Sequence, residues 1–132
     1  MKKLNSVLLI DDEPISNIIS HSVITKLDIA KEITLRDNGA SALEFIEEYY
    51  SKNRSFPELI IVDVNMPVMN GIEFLEAIEF ILYKSKTLIV VLSNLFHESD
   101  LPLLNKINPS YCLIKPLENN LVLSLIQKHF DL

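Results

Sequence analysis

The chain has 132 residues, 48% of them apolar, with two glycines, six prolines and a formal net charge of -6. That length suits one domain with a full core, and the apolar share excludes a disordered chain. The acidic balance, with no basic cluster beyond Lys2-Lys3, argues against a nucleic-acid surface, and a single cysteine excludes an intrachain disulfide and fits a reducing cytosol.

Lys2-Lys3 before an apolar run faintly resembles a secretory signal, but Asp11-Asp12-Glu13 ends the run too early. No apolar stretch approaches the roughly 20 residues of a membrane span. The expectation is a soluble cytoplasmic protein with no membrane partner.

Val7-Leu8-Leu9-Ile10 reads as a buried strand that runs straight into Asp11 and Asp12. Pro14 suits a first helical position. Ile15, Ile18, Ile19, Val23, Ile24 and Leu27 then form an apolar stripe of helical period. Ile33-Thr34-Leu35 is a short strand, Asp37-Asn38-Gly39 a turn, and Ala42, Leu43, Ile46 and Tyr50 a second helical stripe. After a loop from Asn53 to Pro57, Leu59-Ile60-Ile61-Val62 is a strand that stops at Asp63. Asn65 to Gly71 is irregular. Ile72 to Tyr83 predicts a third helix that buries Phe74, Leu75, Ile78, Ile81 and Leu82. Leu88-Ile89-Val90-Val91-Leu92 is a strand ending at Ser93. Residues 98–107 predict a weak fourth helix with Pro102 near its start, and Asn108-Pro109-Ser110 is a turn. Cys112-Leu113-Ile114 is a last strand ending at Lys115, and Leu117 to Phe130 is the closing helix.

Five βα units in one domain, residues 1–132, imply a parallel sheet with helices on both faces. Ligands of such sheets sit beyond the carboxyl ends of the strands. Asp11, Asp12, Asp63, Ser93 and Lys115 therefore converge on one crevice. Crowded carboxylates repel one another and stay ionised together only beside a cation. All-oxygen ligation points to a hard cation, and Mg²⁺ suits a sparse site with room for phosphate oxygens.

With these residues in order, the chain resembles a receiver domain of two-component response regulators. The matching pieces are Leu9-Ile10-Asp11-Asp12-Glu13, Val62-Asp63-Val64-Asn65-Met66-Pro67, Gly71, Ser93 and Lys115-Pro116. The resemblance implies a flavodoxin-like (βα)5 fold with strand order 2-1-3-4-5, as in the chemotaxis receiver, and no output domain in this chain. It implies that Asp63 accepts a phosphoryl group from a histidine kinase or phosphotransfer protein and that the chain then changes its face toward a downstream protein. Asp12 and Asp63 would bind Mg²⁺ directly, Asp11 through a water, and Asn65 through its backbone carbonyl. Ser93 would hydrogen-bond the phosphoryl group. Lys115 would pair with Asp63 before phosphorylation and with a phosphoryl oxygen after it. The Lys115-Pro116 bond resembles one that is cis in this family.

Three positions depart from the family pattern. A switch aromatic usually stands three residues before the lysine, where this chain has Cys112; Tyr111, one residue earlier, points to the other face of the strand. The residue after the hydroxyl is usually small, and here it is Asn94, followed by Leu95. Asn70 replaces a common aspartate. The response is expected to run from Ser93 through loop shifts over residues 93–97.

Blander readings cover the rest. His21, His97 and His129 stand at no ligand spacing and read as surface residues. Cys112 reads as a small buried strand residue. Tyr49-Tyr50, Met66 and Met69 read as packing. Beyond the core stripe of Leu121, Val122, Leu125 and Ile126, the closing helix adds Leu123 and Phe130 on a broader arc, which fits either a wide core face or a patch for a partner or a weak homodimer. The chain is read as a signalling module and not as an enzyme on a separate metabolite. One rival is a Mg²⁺-dependent phosphohydrolase with an aspartyl nucleophile; it typically needs a second aspartate two residues on, where Asn65 cannot transfer a proton. Another is a phosphorylation-independent pseudo-receiver used as a scaffold.

Overall fold

A computed structural model describes residues 3–79, 85–96, 98–107 and 109–130. The apolar runs become five strands: β1 (Leu4–Ile10), β2 (Ala30–Arg36), β3 (Leu59–Asp63), β4 (Leu88–Ser93) and β5 (Tyr111–Ile114). All pair in parallel, in the order β2-β1-β3-β4-β5. This is the flavodoxin-like order expected from the alternation of elements. The helices are α1 (Pro14–Leu27), α2 (Gly39–Asn53), α3 (Gly71–Ala77), α4 (Leu101–Ile107) after a 3₁₀ turn at Glu98–Asp100, and α5 (Asn119–Phe130). Ile81 and Leu82, expected in the third helix, lie outside the described residues, as does His97.

Alternate strand residues face opposite layers. Leu8, Ile10, Ile60, Val62, Ile89 and Val91 pack under α2, α3 and α4, with Ala42, Phe74 and Leu104. Val7, Leu9, Ile61, Val90 and Leu92 pack under α1 and α5, with Ile24, Val122 and Ile126. The central strands β1, β3 and β4 are buried on both faces, apart from Asn5, whereas the edges β2 and β5 are partly open. Two helix starts are set by asparagine. The Asn38 side chain caps α2 by accepting from the Ser41 amide, and Asn70 forms a reciprocal capping box with Glu73 at α3.

Three expectations about burial change. The first half of the α1 stripe faces out: Ile15, Ile18 and Ile19 are 73%, 64% and 41% exposed, while Ser20, Val23 and Ile24 are buried. The helix starts at the carboxyl edge of the sheet and runs back along it, so its first turns lie at that edge and only later turns cover the sheet. Cys112 is exposed and not a buried strand residue. It sits on an edge strand beneath a fourth helix of only seven residues, which leaves a groove of about 270 Å³ between Cys112, Leu104 and Phe96. The closing helix begins at Asn119, two residues after Leu117. Its broader arc goes to the core, with Leu123 and Phe130 packed against it, whereas Leu121, expected on the core face, is exposed.

Candidate functional site

Parallel register brings the chemistry to one edge. Ile10 stands opposite Val62, Asp63 opposite Leu92, and Ser93 opposite Ile114. The residues that end or follow these strands are therefore neighbours: Asp11 and Asp12 after β1, Asp63 at the end of β3, Ser93 at the end of β4, and Lys115 after β5. The Lys115 amide donates to the Ser93 carbonyl, which extends that alignment by one residue, and the Lys115–Pro116 bond is cis.

Asp11 is the hub. One of its oxygens accepts from the Glu13 amide at 2.9 Å; the other accepts from the Ser16 hydroxyl at 2.5 Å and from the Lys115 ammonium at 2.7 Å. The Asn17 side chain binds the carbonyls of both Asp11 and Arg36 and ties the ends of β1 and β2 together. Lys115, its side chain 7% exposed, also reaches Glu13 at 3.0 Å and stands 3.7 Å from Asp63. The ammonium thus rests on Asp11 and Glu13 first and on Asp63 second, where the sequence pointed to Asp63 as its partner. Burial alone would pull the lysine's pKa down, but its hydrogen bonds to Asp11 and Glu13 and the charges of Asp11 and Asp63 raise it.

Asp63 is buried, and its pKa is pushed up to about 6. Desolvation is the main cause and the Asp11 charge the next; Lys115 and a backbone hydrogen bond from Asn65 act the other way, and Asp12 adds to the rise. Asp11, Asp12 and Asp63 each offer an oxygen within 4.8 Å of the others. With Glu13, four carboxylates face one ammonium. This excess of negative charge on hard oxygen donors fits a divalent cation such as Mg²⁺, held by Asp11, Asp12 and Asp63. Asn65 follows on the exposed loop, and its backbone carbonyl is the further candidate ligand.

The loop after Asp63 is pressed against the start of α3, where the Gly71 amide donates to the Val64 carbonyl at 2.9 Å. On the β4 side, the buried Ser93 hydroxyl donates to the Leu95 carbonyl at 3.1 Å. Phe96 packs against the α2–α3–α4 core and lines the groove beside Cys112. Tyr111 packs on the opposite, α1–α5 layer. The aromatic next to Cys112 therefore comes from the loop, three residues after Ser93, and not from the strand. Glu13 also joins the site through Lys115, and its place directly after the acidic pair is the sequence signal for it. Asn94 donates to Glu13 at 3.3 Å. His21 faces Thr25 on α1, and His129 meets the Lys86 carbonyl; neither approaches the site.

Comparison with known proteins gives a consistent picture. The response regulator receiver domain family matches residues 7–127. The nitrate/nitrite response regulator NarL of Escherichia coli strain K12 is 30% identical over 116 residues, covering 86% of this chain and 49% of NarL. The chain thus spans about half the length of the curated relatives it matches. A two-component response regulator from Cytophaga hutchinsonii superposes with a TM-score of 0.85 at 29% identity, covering 99% of this chain and all of the other. A two-component response regulator from Legionella pneumophila gives a TM-score of 0.78 at 25% identity, covering 97% and 99% of the two chains.

Proposed function

The chain belongs to the response regulator receiver domain family, and on that premise we propose that it takes a phosphoryl group onto Asp63 from a phosphohistidine donor, with Mg²⁺, as a signalling module. The observation that carries this reading is Asp63 itself: a buried carboxylate at a strand end, with Asp11 and Asp12 beside it and a lysine ammonium at 3.7 Å. An Asp63 carboxylate oxygen would attack phosphorus, the phosphorus–nitrogen bond would break, and the imidazole would leave and take a proton from solvent. Catalysis of such a transfer is mostly positioning and charge. Lys115 would donate to one phosphoryl oxygen and Ser93 to another. Mg²⁺, when bound at Asp11, Asp12 and Asp63, supplies further positive charge for the same oxygens. The product is an acyl phosphate, labile enough for a signal that must decay. Asn65, two residues past Asp63, cannot act as a proton shuttle, which favours a signalling role over hydrolysis of a separate substrate.

The donor's docking place is supported by the exposed Ile15, Ile18 and Ile19 of α1. Ile15 and Ile19 line a recess of about 280 Å³ that reaches Lys115 and Asn94. An apolar helix face bearing the phosphohistidine, on a histidine kinase or phosphotransfer protein, fits this surface. Among the described residues no helix is long and apolar enough to cross a membrane.

Intact-mass analysis after incubation with phosphoramidate and Mg²⁺ tests the acceptor. Wild type is expected to gain one phosphoryl group, and Asp63→Asn none. Stoichiometric labelling of the same peptide in Asp63→Asn would remove Asp63 from this role.

Read-out is expected on the face of α4, β5 and α5. To bind the phosphoryl group, the Ser93 hydroxyl must leave the Leu95 carbonyl, and that frees the loop carrying Phe96 beside the Cys112 groove. NMR shifts on addition of beryllofluoride with Mg²⁺ check this. Ser93→Ala and Phe96→Ala should lose most of the response in α4 and β5, and Tyr111→Ala should keep it. The reverse pattern would sink this route.

A further inference from the structure

Glu13 caps α1 by position, with φ -87° and ψ 112°, yet its side chain makes no capping hydrogen bond. Asp11 ties down this helix start instead, accepting from the Glu13 amide and from the Ser16 hydroxyl in the first turn. The Glu13 carboxylate is thereby released, and it turns back over the site. A single oxygen of it accepts from Lys115 at 3.0 Å and from Asn94 at 3.3 Å. It thus bridges the start of α1, the end of β5 and the loop after β4. Two of the hydrogen bonds that an ammonium can donate go to Asp11 and Glu13, both from the β1–α1 junction. Only an ion-pair distance of 3.7 Å remains toward Asp63.

We propose that Glu13 is a positioning residue that parks Lys115 on the α1 side of the site, with Asn94 holding the Glu13 carboxylate in place, and so slows phosphorylation of Asp63. This rests on the reading of Asp63 as the acceptor. For Lys115 to meet a phosphoryl oxygen on Asp63, its ammonium must move toward the acceptor, and the bond to Glu13 is the contact that opposes the move from outside the acidic triad. Glu13 is 54% exposed, so the contact is a modest one, opened and closed at small cost. Such a contact tunes a rate without abolishing it.

The experiment follows phosphoramidate labelling of the full chain with saturating Mg²⁺, together with the NMR signal of the Lys115 ammonium. Glu13→Ala is expected to label about three- to fivefold faster than wild type, the scale of one partly exposed ion pair. In a Lys115→Met background, Glu13→Ala should change the rate little, because Glu13 acts through the ammonium. A gain that persists there assigns the effect to repulsion of the anionic donor and overturns parking. So does a Glu13→Ala rate equal to or below wild type. If wild type takes no label at all, the acceptor reading falls, and parking is judged by the ammonium signal alone. That signal should shift in Glu13→Ala and, to a smaller extent, in Asn94→Ala; an unchanged signal in Glu13→Ala overturns it.

Discussion

In metal-free buffer at pH 7, Asp63→Asn should be more stable than wild type by about 2–3 kcal/mol, a rise of roughly 6–12 °C in melting temperature. The cause is the cost of ionising a buried carboxyl beside Asp11, which lifts its pKa from 3.8 to about 6. The direction of the pH dependence follows. Between pH 4 and pH 6 the folded Asp63 holds a proton that the unfolded chain has already released, so this group's contribution to stability falls as pH rises through that window. Above it the penalty is complete, and below it the penalty is absent. Asparagine keeps the shape and never ionises. Its advantage should therefore be full at pH 7 and should vanish near pH 4, where both forms are neutral at this position. Mg²⁺ should stabilise wild type by relieving the same repulsion, and should do so less in Asp12→Ala and Asp63→Asn. Urea melts from pH 4 to pH 8, with and without Mg²⁺, measure all of this. A variant weaker than wild type at pH 7, or an advantage undiminished at pH 4, would refute the electrostatic account.

The sequence made the backbone of the site legible because one rule covers it. Continuous apolar runs separated by helical stripes give a parallel sheet, and the residues after such strands share an edge. Asp11, Asp12, Asp63, Ser93 and Lys115 could be placed together on that ground alone. The partners of Lys115 could not. Which carboxylate a flexible four-carbon stem meets is not fixed by strand order, and the lysine lies 2.7 Å from Asp11 but 3.7 Å from Asp63. Periodicity also marks which residues share a helix face without saying where the sheet beneath ends. Ile15 and Ile18 belong to the same stripe as Ile24, yet they are exposed while Ile24 is buried. Cys112 reads as core because its strand is apolar, but the burial of an edge strand is set by its covering helix, and α4 is short. Phe96 was hidden for the opposite reason: it lies in a loop, where no period reports a side chain's direction.

Gly71→Ala should destabilise the chain by about 3 kcal/mol or more and disturb the acceptor at the same time. Helix propensity alone predicts the reverse, since alanine is favoured over glycine in a helix by about 1 kcal/mol. Space decides the sign. A Cβ on Gly71 would lie 2.1 Å from the Asp63 carbonyl oxygen and 2.9 Å from both the Asp63 carbonyl carbon and the Val64 Cα. All three are backbone atoms, so no rotamer can relieve the clash. The amide of Gly71 is also bound to the Val64 carbonyl at 2.9 Å, which holds the two segments together. Either α3 lifts from the loop, losing the burial of Ile72, Phe74 and Leu75, or the end of β3 moves and takes the Asp63 carboxylate with it. Gly39 is a milder case within the same molecule. A Cβ there would come within 2.8 Å of the Met69 Cγ, which a flexible side chain can move, and of the Met69 carbonyl oxygen, a single backbone atom from which the half-buried loop must shift by less than at Gly71. Denaturant melts and phosphoramidate labelling of Gly71→Ala and Gly39→Ala should therefore rank Gly71→Ala as far the more damaging in both measurements. A Gly71→Ala chain within about 1 kcal/mol of wild type, labelling at the wild-type rate, would show that the loop is not pinned by this contact.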